Sequence, residues 1–396
     1  MVPCAHGMKA DSRAGPETDG GLRMEGPRAV SQDESPLVDA FLRELSPASM
    51  DGLPGPRWTL AGERDRRVRA IFLGGLPVSV VLYASAELVL DGCAVRVAEL
   101  SLLATRPDHR GQGFASLLLE DSLGAMRTEG IRLFFTPSAE GIFGRLGARR
   151  GGILWRARLR PEDLPPGDPM LFRFAHPDDA GILWRLHQGE DPRFAREEEL
   201  FRHLLPGGEG ERAILVLRGG KPVAYAFLAF RPEAQSVAAV LEYAGERRTL
   251  ASALRSVAHR LGLGELEIFV PFTDRELLLR LRAAGGDWRV EPMPGAIAIL
   301  DPEGLWTDLA PHFARRLGEA TWRRLSASSY EAGAFGVRLG EEAISLPDPG
   351  RLVGLFFGEG EEAWSGSLLP PGLRRALALC LPLPLPWERR WAGPVP

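Results

Sequence analysis

A chain of 396 residues exceeds the usual single domain of about 100 to 200 residues, so two or three folding units are expected. Its composition, 45% hydrophobic and 25% charged, excludes a fibrous or wholly disordered chain. The net charge of −4, with arginines interleaved among acids, gives no basic stripe for DNA or RNA, and no nucleic-acid partner is expected.

Residues 1–30 are rich in Gly, Pro, Ser, Asp and Glu, have no apolar periodicity, and read as a disordered leader. They lack the apolar core of a signal peptide. No window of the chain approaches the roughly 18 to 20 apolar residues of a membrane span, so the expected compartment is the cytoplasm, without a membrane partner. Cys4, Cys93 and Cys380 form no CxxC and have no histidine at ligand spacing, which argues against a disulfide framework or a structural metal.

The first periodic segment, SPLVDAFLREL, places Leu37, Val38, Phe41, Leu42 and Leu45 on one helical face behind Ser35 and Pro36. From Arg67 three β-type runs, VRAIFLGG, PVSVVLYASAELVL and AVRVAELSLLAT, predict an antiparallel meander. A helix from about Phe114 to Thr128, a strand IRLFFTPS, a helix AEGIFGRLGA and a strand GGILWRARL follow. PEDLPPGDPM reads as a linker, since its prolines break any regular element. The order then recurs: helices PDDAGILWRLHQG and AREEELFRHLL, a hairpin RAILVLRGGKPVAYAFLAF, a strand SVAAVLEYAG, a helix TLASALRSVAHRLG, a strand LEIFVP, a helix DRELLLRLRAAG and a last strand PGAIAIL. From Asp301 come a helix DPEGLWTDLAPHFARRLG, short strands and turns through FGVRLGEEAISLP and GRLVGLFFGEG, the run LRRALALC and a proline-rich tail. The expected class is α+β, in units 31–164, 170–300 and 301–396.

One turn carries chemistry. Residues 102–119, LLATRPDHRGQGFASLLL, join an apolar strand to an apolar helix through two glycines, which leaves several backbone N–H groups aimed at one spot. That arrangement suits an anion. A nucleotide P-loop is ruled out, because the only Gly-Lys pair, Gly220-Lys221, is followed by Pro222. A dinucleotide fingerprint fails at its third glycine, where Ser116 stands, and no acid closes the next strand.

Arg110-Gly111-Gln112-Gly113-Phe114-Ala115, preceded by Pro107, resembles the R/Q-x-x-G-x-G/A motif of the GNAT superfamily of acetyltransferases. The segment SAEGIFGRLGA, 138–148, is similar to the S-x-x-G-I-Y-G-R-x-G-Y stretch of Eis-type acetyltransferases, which join two GNAT folds to a sterol-carrier-like domain. The resemblance implies tandem GNAT-like folds followed by a small sterol-carrier-like domain. It implies acetyl-CoA as co-substrate, with no metal, and a small-molecule or peptide amine as acceptor. The amides around Gly111 to Ala115 are then expected to hold the pyrophosphate, and Leu103, Ala104 and Thr105 to pair with the pantetheine arm. Ser138 opens the second matching segment and is counted with the acyl-CoA site.

Three positions matter. The family's usual tyrosine, which protonates the departing CoA thiolate, is Phe143 here, so either catalysis proceeds without it or the chain binds acyl-CoA with little turnover. Glu99, on the strand leading to the loop, is the candidate general base, with a solvated strand-end acid as the alternative. The second copy's turn, Glu242 to Arg248, lacks the motif, and its acids Glu242 and Glu246 are expected to repel a pyrophosphate. A lipid carrier resting on the C-terminal unit is a third reading, and the oligomeric state is open to a homo-oligomer.

Overall fold

A computed structural model describes residues 23–45, 66–165, 171–205, 210–231, 234–283, 285–330, 334–358 and 369–388. Residues 1–22, Cys4 and the acidic run 359–362 lie outside the described residues.

The N-terminal unit opens with β1 (Met24–Ala29) and α1 (Ser35–Leu45). The meander follows as β2 (Arg66–Leu73), β3 (Leu76–Leu90) and β4 (Cys93–Thr105). Then come α2 (Phe114–Thr128), β5 (Leu133–Thr136), α3 (Gly141–Arg145) and β6 (Ile153–Leu159). β1 corrects the expectation of an unstructured leader through residue 30. It pairs antiparallel with β2 across a register shift between Glu25 and Arg28. Arg28 bonds Glu34 and lies 4.6 Å over the Phe72 ring, so side-chain contacts hold a strand that has no apolar pattern of its own.

The middle unit repeats this plan: β7 (Leu171–Phe174), α4 (Ala180–Gln188), β8 (Arg193–Phe194), α5 (Glu198–Leu204), β9 (Glu211–Arg218), β10 (Lys221–Arg231) and β11 (Ala234–Gly245). It continues as α6 (Arg247–Arg260), β12 (Glu265–Pro271), α7 (Arg275–Arg282), β13 (Asp287–Pro292) and β14 (Ala296–Ile299). Strand alternation gives each meander two apolar faces. α2 packs on one through Phe114, Leu118 and Leu123 against Val81, Tyr83 and Leu100, while Val38 and Phe41 of α1 pack on the other against Val80 and Leu82.

The two units do not each keep their own last strand. The first sheet runs β1-β2-β3-β4-β5-β14, and the second runs β13-β6-β12-β11-β10-β9-β7. β6 of the N-terminal half therefore lies beside β12, and β14 of the middle half lies beside β5. Both are short apolar strands that satisfy either neighbour, so local pattern does not decide between them; the exchange ties the two sheets together through the backbone.

The C-terminal unit contains α8 (Pro302–Asp308), α9 (Ala310–Leu317), α10 (Glu319–Trp322), β15 (Leu325–Ser329), β16 (Phe335–Leu339), β17 (Glu342–Leu346), α11 (Pro349–Phe357) and α12 (Pro371–Ala378). The single helix expected over 301–318 is two, because Pro311 has no N–H to continue the ladder. GRLVGLFF, expected as strand and turn, is helical in α11: the Asp348 carboxylate accepts from the Arg351 amide at 3.1 Å and Pro349 sits at the first position. Among the described residues no helix is long and apolar enough to cross a membrane.

The proline-rich tail turns inward. Leu381, Leu383, Leu385, Trp387 and Glu388 are all buried. Glu388 reaches a buried ion cluster, where its Oε2 lies 2.6 Å from Arg196 Nη2 and its Oε1 is 3.2 Å from His187 Nε2. Arg196 also donates to Glu242 at 2.8 Å, and Tyr225 donates to Glu242 at 2.7 Å. Burial works against the Arg196 charge, but Glu242 and Glu388 more than offset it and raise its pKa. Arg196→Ala strands two buried carboxylates without their cation, and should cost about 3 to 5 kcal/mol of stability in a denaturant titration.

Candidate functional site

The site is built where β4, α2 and β5 meet. β4 and β5 run parallel, paired from Val97↔Leu133 to Glu99↔Phe135. There the pairing stops. β4 continues to Thr105, whereas Thr136 of β5 pairs with Ala296 of β14. The register between β3 and β4 slips at this level, from Tyr83↔Leu100 to Leu82↔Leu102, which leaves Ser101 as a bulge. A bulge bends its strand and increases the local twist. Beyond Glu99, β4 thus turns away from β5, and Leu103, Ala104 and Thr105, paired to β3 on one side, have no strand partner on the other among the described residues.

Residues 106–113 connect β4 to α2. Gly111 and Gly113 have φ of +78° and +85°, a region that a side-chain-bearing residue enters only with strain. A Cβ at either would meet nothing within 4 Å, so the space above the turn is open. Gly113 caps α2 without a side-chain hydrogen bond, and the first-turn amides of a helix have no intrahelical acceptor. They lie at the positive end of the helix dipole. Phe114 anchors the turn from below in the α2 core, and Ala115 is half-buried.

The loop's charges match. Arg110 is exposed, its Nε donates to Thr105 O at 3.2 Å, and among the described residues no carboxylate pairs with it. Gln112 donates to Asp108 O at 3.4 Å. Arg106 is held by Glu44 of α1 at 2.7 Å. Arg67 and Arg69 of β2 point elsewhere, to Glu129 just past the end of α2 and to Asp121 within it.

Glu99 is mid-strand and half-buried, not a strand-end acid. It is the last β4 residue paired to β5, at the mouth of the splay. Ala98 and Leu100 share an apolar cluster with Phe143, so Glu99 between them projects to the opposite face of the sheet. Phe143 is 9% exposed. No other phenol takes its place. Tyr83 donates to Glu129 at the far end of α2, and burial together with that carboxylate pushes its pKa above the usual range. Tyr225 and Tyr243 serve Glu242 and Asp274, and Tyr330 lies exposed in the C-terminal unit. Ser138 is used locally: its hydroxyl accepts from the Glu140 amide at 3.0 Å and shapes the entry to α3.

Residues 38–151 match the family model for an acetyltransferase (GNAT) domain. This part of the chain is similar to the GNAT family and has its fold. No curated protein matches the chain. Among solved structures, a probable N-acyltransferase from Enterococcus faecalis V583 aligns over 92% of this chain and 98% of its own, at 12% identity and a TM-score of 0.68. A GCN5-related N-acetyltransferase from Kribbella flavida aligns over 93% and 97%, at 16% identity and a TM-score of 0.61. Eis1 from Mycobacterium abscessus aligns over 93% and 99%, at 16% identity and a TM-score of 0.60. The chain thus has the Eis-like fold, with two tandem GNAT-like folds.

The second GNAT-like fold keeps the splay and loses the cradle. Its β11 and β12 pair in parallel only from Val237↔Glu265 to Val240↔Ile268, and a register shift falls between Phe227↔Glu242 and Leu228↔Val240. But β11 ends at Gly245 and α6 begins at Arg247, so Glu246 alone replaces the long loop of the GNAT domain. The expected repulsion by Glu242 and Glu246 is corrected here, since Arg196 neutralises Glu242 and Arg218 pairs with Glu246. The group that occupies this place is Glu190, which the sequence does not single out. Its carboxylate accepts from the Gly245 amide at 2.8 Å and from Arg247 at 2.9 Å, at the helix end where a phosphate would bind. Calorimetric titration with acetyl-CoA should therefore saturate at one equivalent per chain; two equivalent sites would refute this assignment.

Proposed function

We propose that the chain is an acetyl-CoA-dependent N-acetyltransferase acting on a primary amine of a small molecule or peptide. The observation that carries this reading is the open, uncapped turn at Gly111 and Gly113 beside the unpaired edge of β4. The amides from Gly111 to Ala115, with Arg110, hold the pyrophosphate, and the free edge of Leu103 to Thr105 takes the amide groups of the pantetheine arm. That places the thioester in the splay next to Glu99.

The amine nitrogen attacks the thioester carbonyl, a C–N bond forms, the C–S bond breaks, and CoA leaves as thiolate. Glu99 accepts the proton released by the attacking nitrogen. A thiol with an ordinary pKa of about 8.5 is a fair leaving group without help. A positioned acid would add about 10² to 10⁴ in rate, and Phe143 supplies none. That observation favours a second reading in which the chain binds acyl-CoA with little turnover, as a sensor or scaffold.

Two measurements test these readings. Acetyl-CoA at about a hundredfold above its dissociation constant should stabilise the fold by about 2.7 kcal/mol, while NADH should not. Gly113→Glu, which puts a negative charge at the phosphate position, should abolish that shift. A preference for NADH would end the acyl-CoA reading.

Release of free thiol from acetyl-CoA across a panel of amines separates enzyme from binder. Phe143→Tyr should raise the rate of release. If the variant is stable and no faster, proton delivery does not limit the reaction; if it loses about 1 to 3 kcal/mol of stability instead, the hydroxyl is buried without a partner.

A further inference from the structure

The C-terminal tail enters the second GNAT-like fold at the place that corresponds to the acyl-CoA splay of the first. Trp387 donates its indole N–H to the carbonyl of Val240, the last β11 residue paired to β12, at 3.4 Å. Its ring stacks on Phe269 of β12 with centroids 4.4 Å apart. The next residue, Glu388, accepts from the Phe194 amide at 2.9 Å and pairs with Arg196 and His187. The groove that could take a pantetheine arm in this copy holds the chain's own tail.

Phe194 faces the other fold. It lies in β8, whose short ladder pairs Phe194 with Leu88 of β3, and it is fully buried. Its ring meets Phe135 edge to face, with centroids 5.9 Å apart. Phe135 is the β5 residue in register with Glu99. A continuous path therefore leads from the Glu388 carboxylate through the Phe194 backbone and ring to the strand pair where β4 and β5 part. Trp184 Nε1 and Gln188 Nε2 of α4 both donate to the Arg196 carbonyl, which fixes the cation that Glu388 needs.

We propose that Glu388 is a positioning residue for the acyl-transfer site: docked with Trp387 in the splay of the second fold, it holds Phe194 against Phe135 and so sets the opening at Glu99. The inference rests on the proposed acetyltransferase reading for its kinetic consequence, but not for its structural one. Glu388→Gln keeps the shape and removes the charge. In the full-length protein, native-state hydrogen exchange at Phe194, Ala195 and Phe135 should quicken by about tenfold, while β2 exchanges as in wild type. In amine acetylation, kcat/KM for the acceptor should fall by a similar factor, and the dissociation constant for acetyl-CoA, to which the loop 106–113 contributes outside the splay, should change less.

Phe194→Leu leaves the ion cluster in place and should reproduce the change at Phe135 and in the acceptor kinetics, which covers the case in which Glu388→Gln does not fold. Faster exchange confined to the tail and the second sheet, with Phe135 and the acceptor kinetics as in wild type, would overturn the proposal and leave Glu388 a stabilising residue only. Should wild type release no thiol with any amine, the acetyltransferase reading fails, and exchange at Phe135 still decides whether Glu388 acts on the splay.

Discussion

Arg196 is the charge on which the arrangement of this molecule depends. One guanidinium with a fully buried side chain serves two carboxylates, Glu242 from the middle of a sheet and Glu388 from the end of the tail. Taking three charges out of water costs several kcal/mol per ion, which their mutual attraction at close range has to offset. Here Tyr225, His187 and the Phe194 amide add donors, while Arg196 Nη2 and Glu388 Oε2 meet as an ion pair without hydrogen-bond geometry. Because each partner arrives from a different element, the ion cluster closes along one chain path, and that specificity fixes where the tail runs.

The two GNAT-like folds show how the same backbone plan leaves a strand-to-helix turn open in one copy and filled in the other. Both keep a bulge and a short parallel pairing, which belong to the sheet and are independent of any ligand. They differ in the connection that follows. Residues 106–113 give the first helix a turn with open glycines and a free arginine. In the second, one residue joins strand to helix, and Glu190 supplies from within the chain the negative charge that a helix N-terminus favours. An internal carboxylate at the helix end and an indole in the splay leave that copy to do structural work.

At the candidate catalytic centre the chain is equipped more for binding than for proton delivery. Glu99, at the mouth of the splay, is the base in the proposed reaction, but Phe143 belongs to an apolar cluster and has no proton to give. The proposed thioester chemistry would tolerate this, because a thiolate leaving group is stabilised by its own acidity and acyl transfer needs orientation before it needs an acid.

The helix α2, the meander and the glycine loop were legible because each rests on local rules: period-two runs, a 3.6-residue apolar face and glycines where φ must be positive. α2 spans Phe114–Thr128, as its pattern predicts. The burial of the proline-rich tail was not legible: Leu383 to Glu388 are all buried, Pro384 and Pro386 included, so no one-sided alternation marks it. Long-range partners were not legible. β6 and β14 are interchangeable by composition, and the exchange was decided by which sheet edge each could reach. Glu190, Arg196 and Glu388 look in sequence like any surface charges. Arg196 and Glu388 become partners only when the fold removes them from water, where an unpaired charge is too costly to keep, and Glu190 meets Arg247 at a partly exposed helix end.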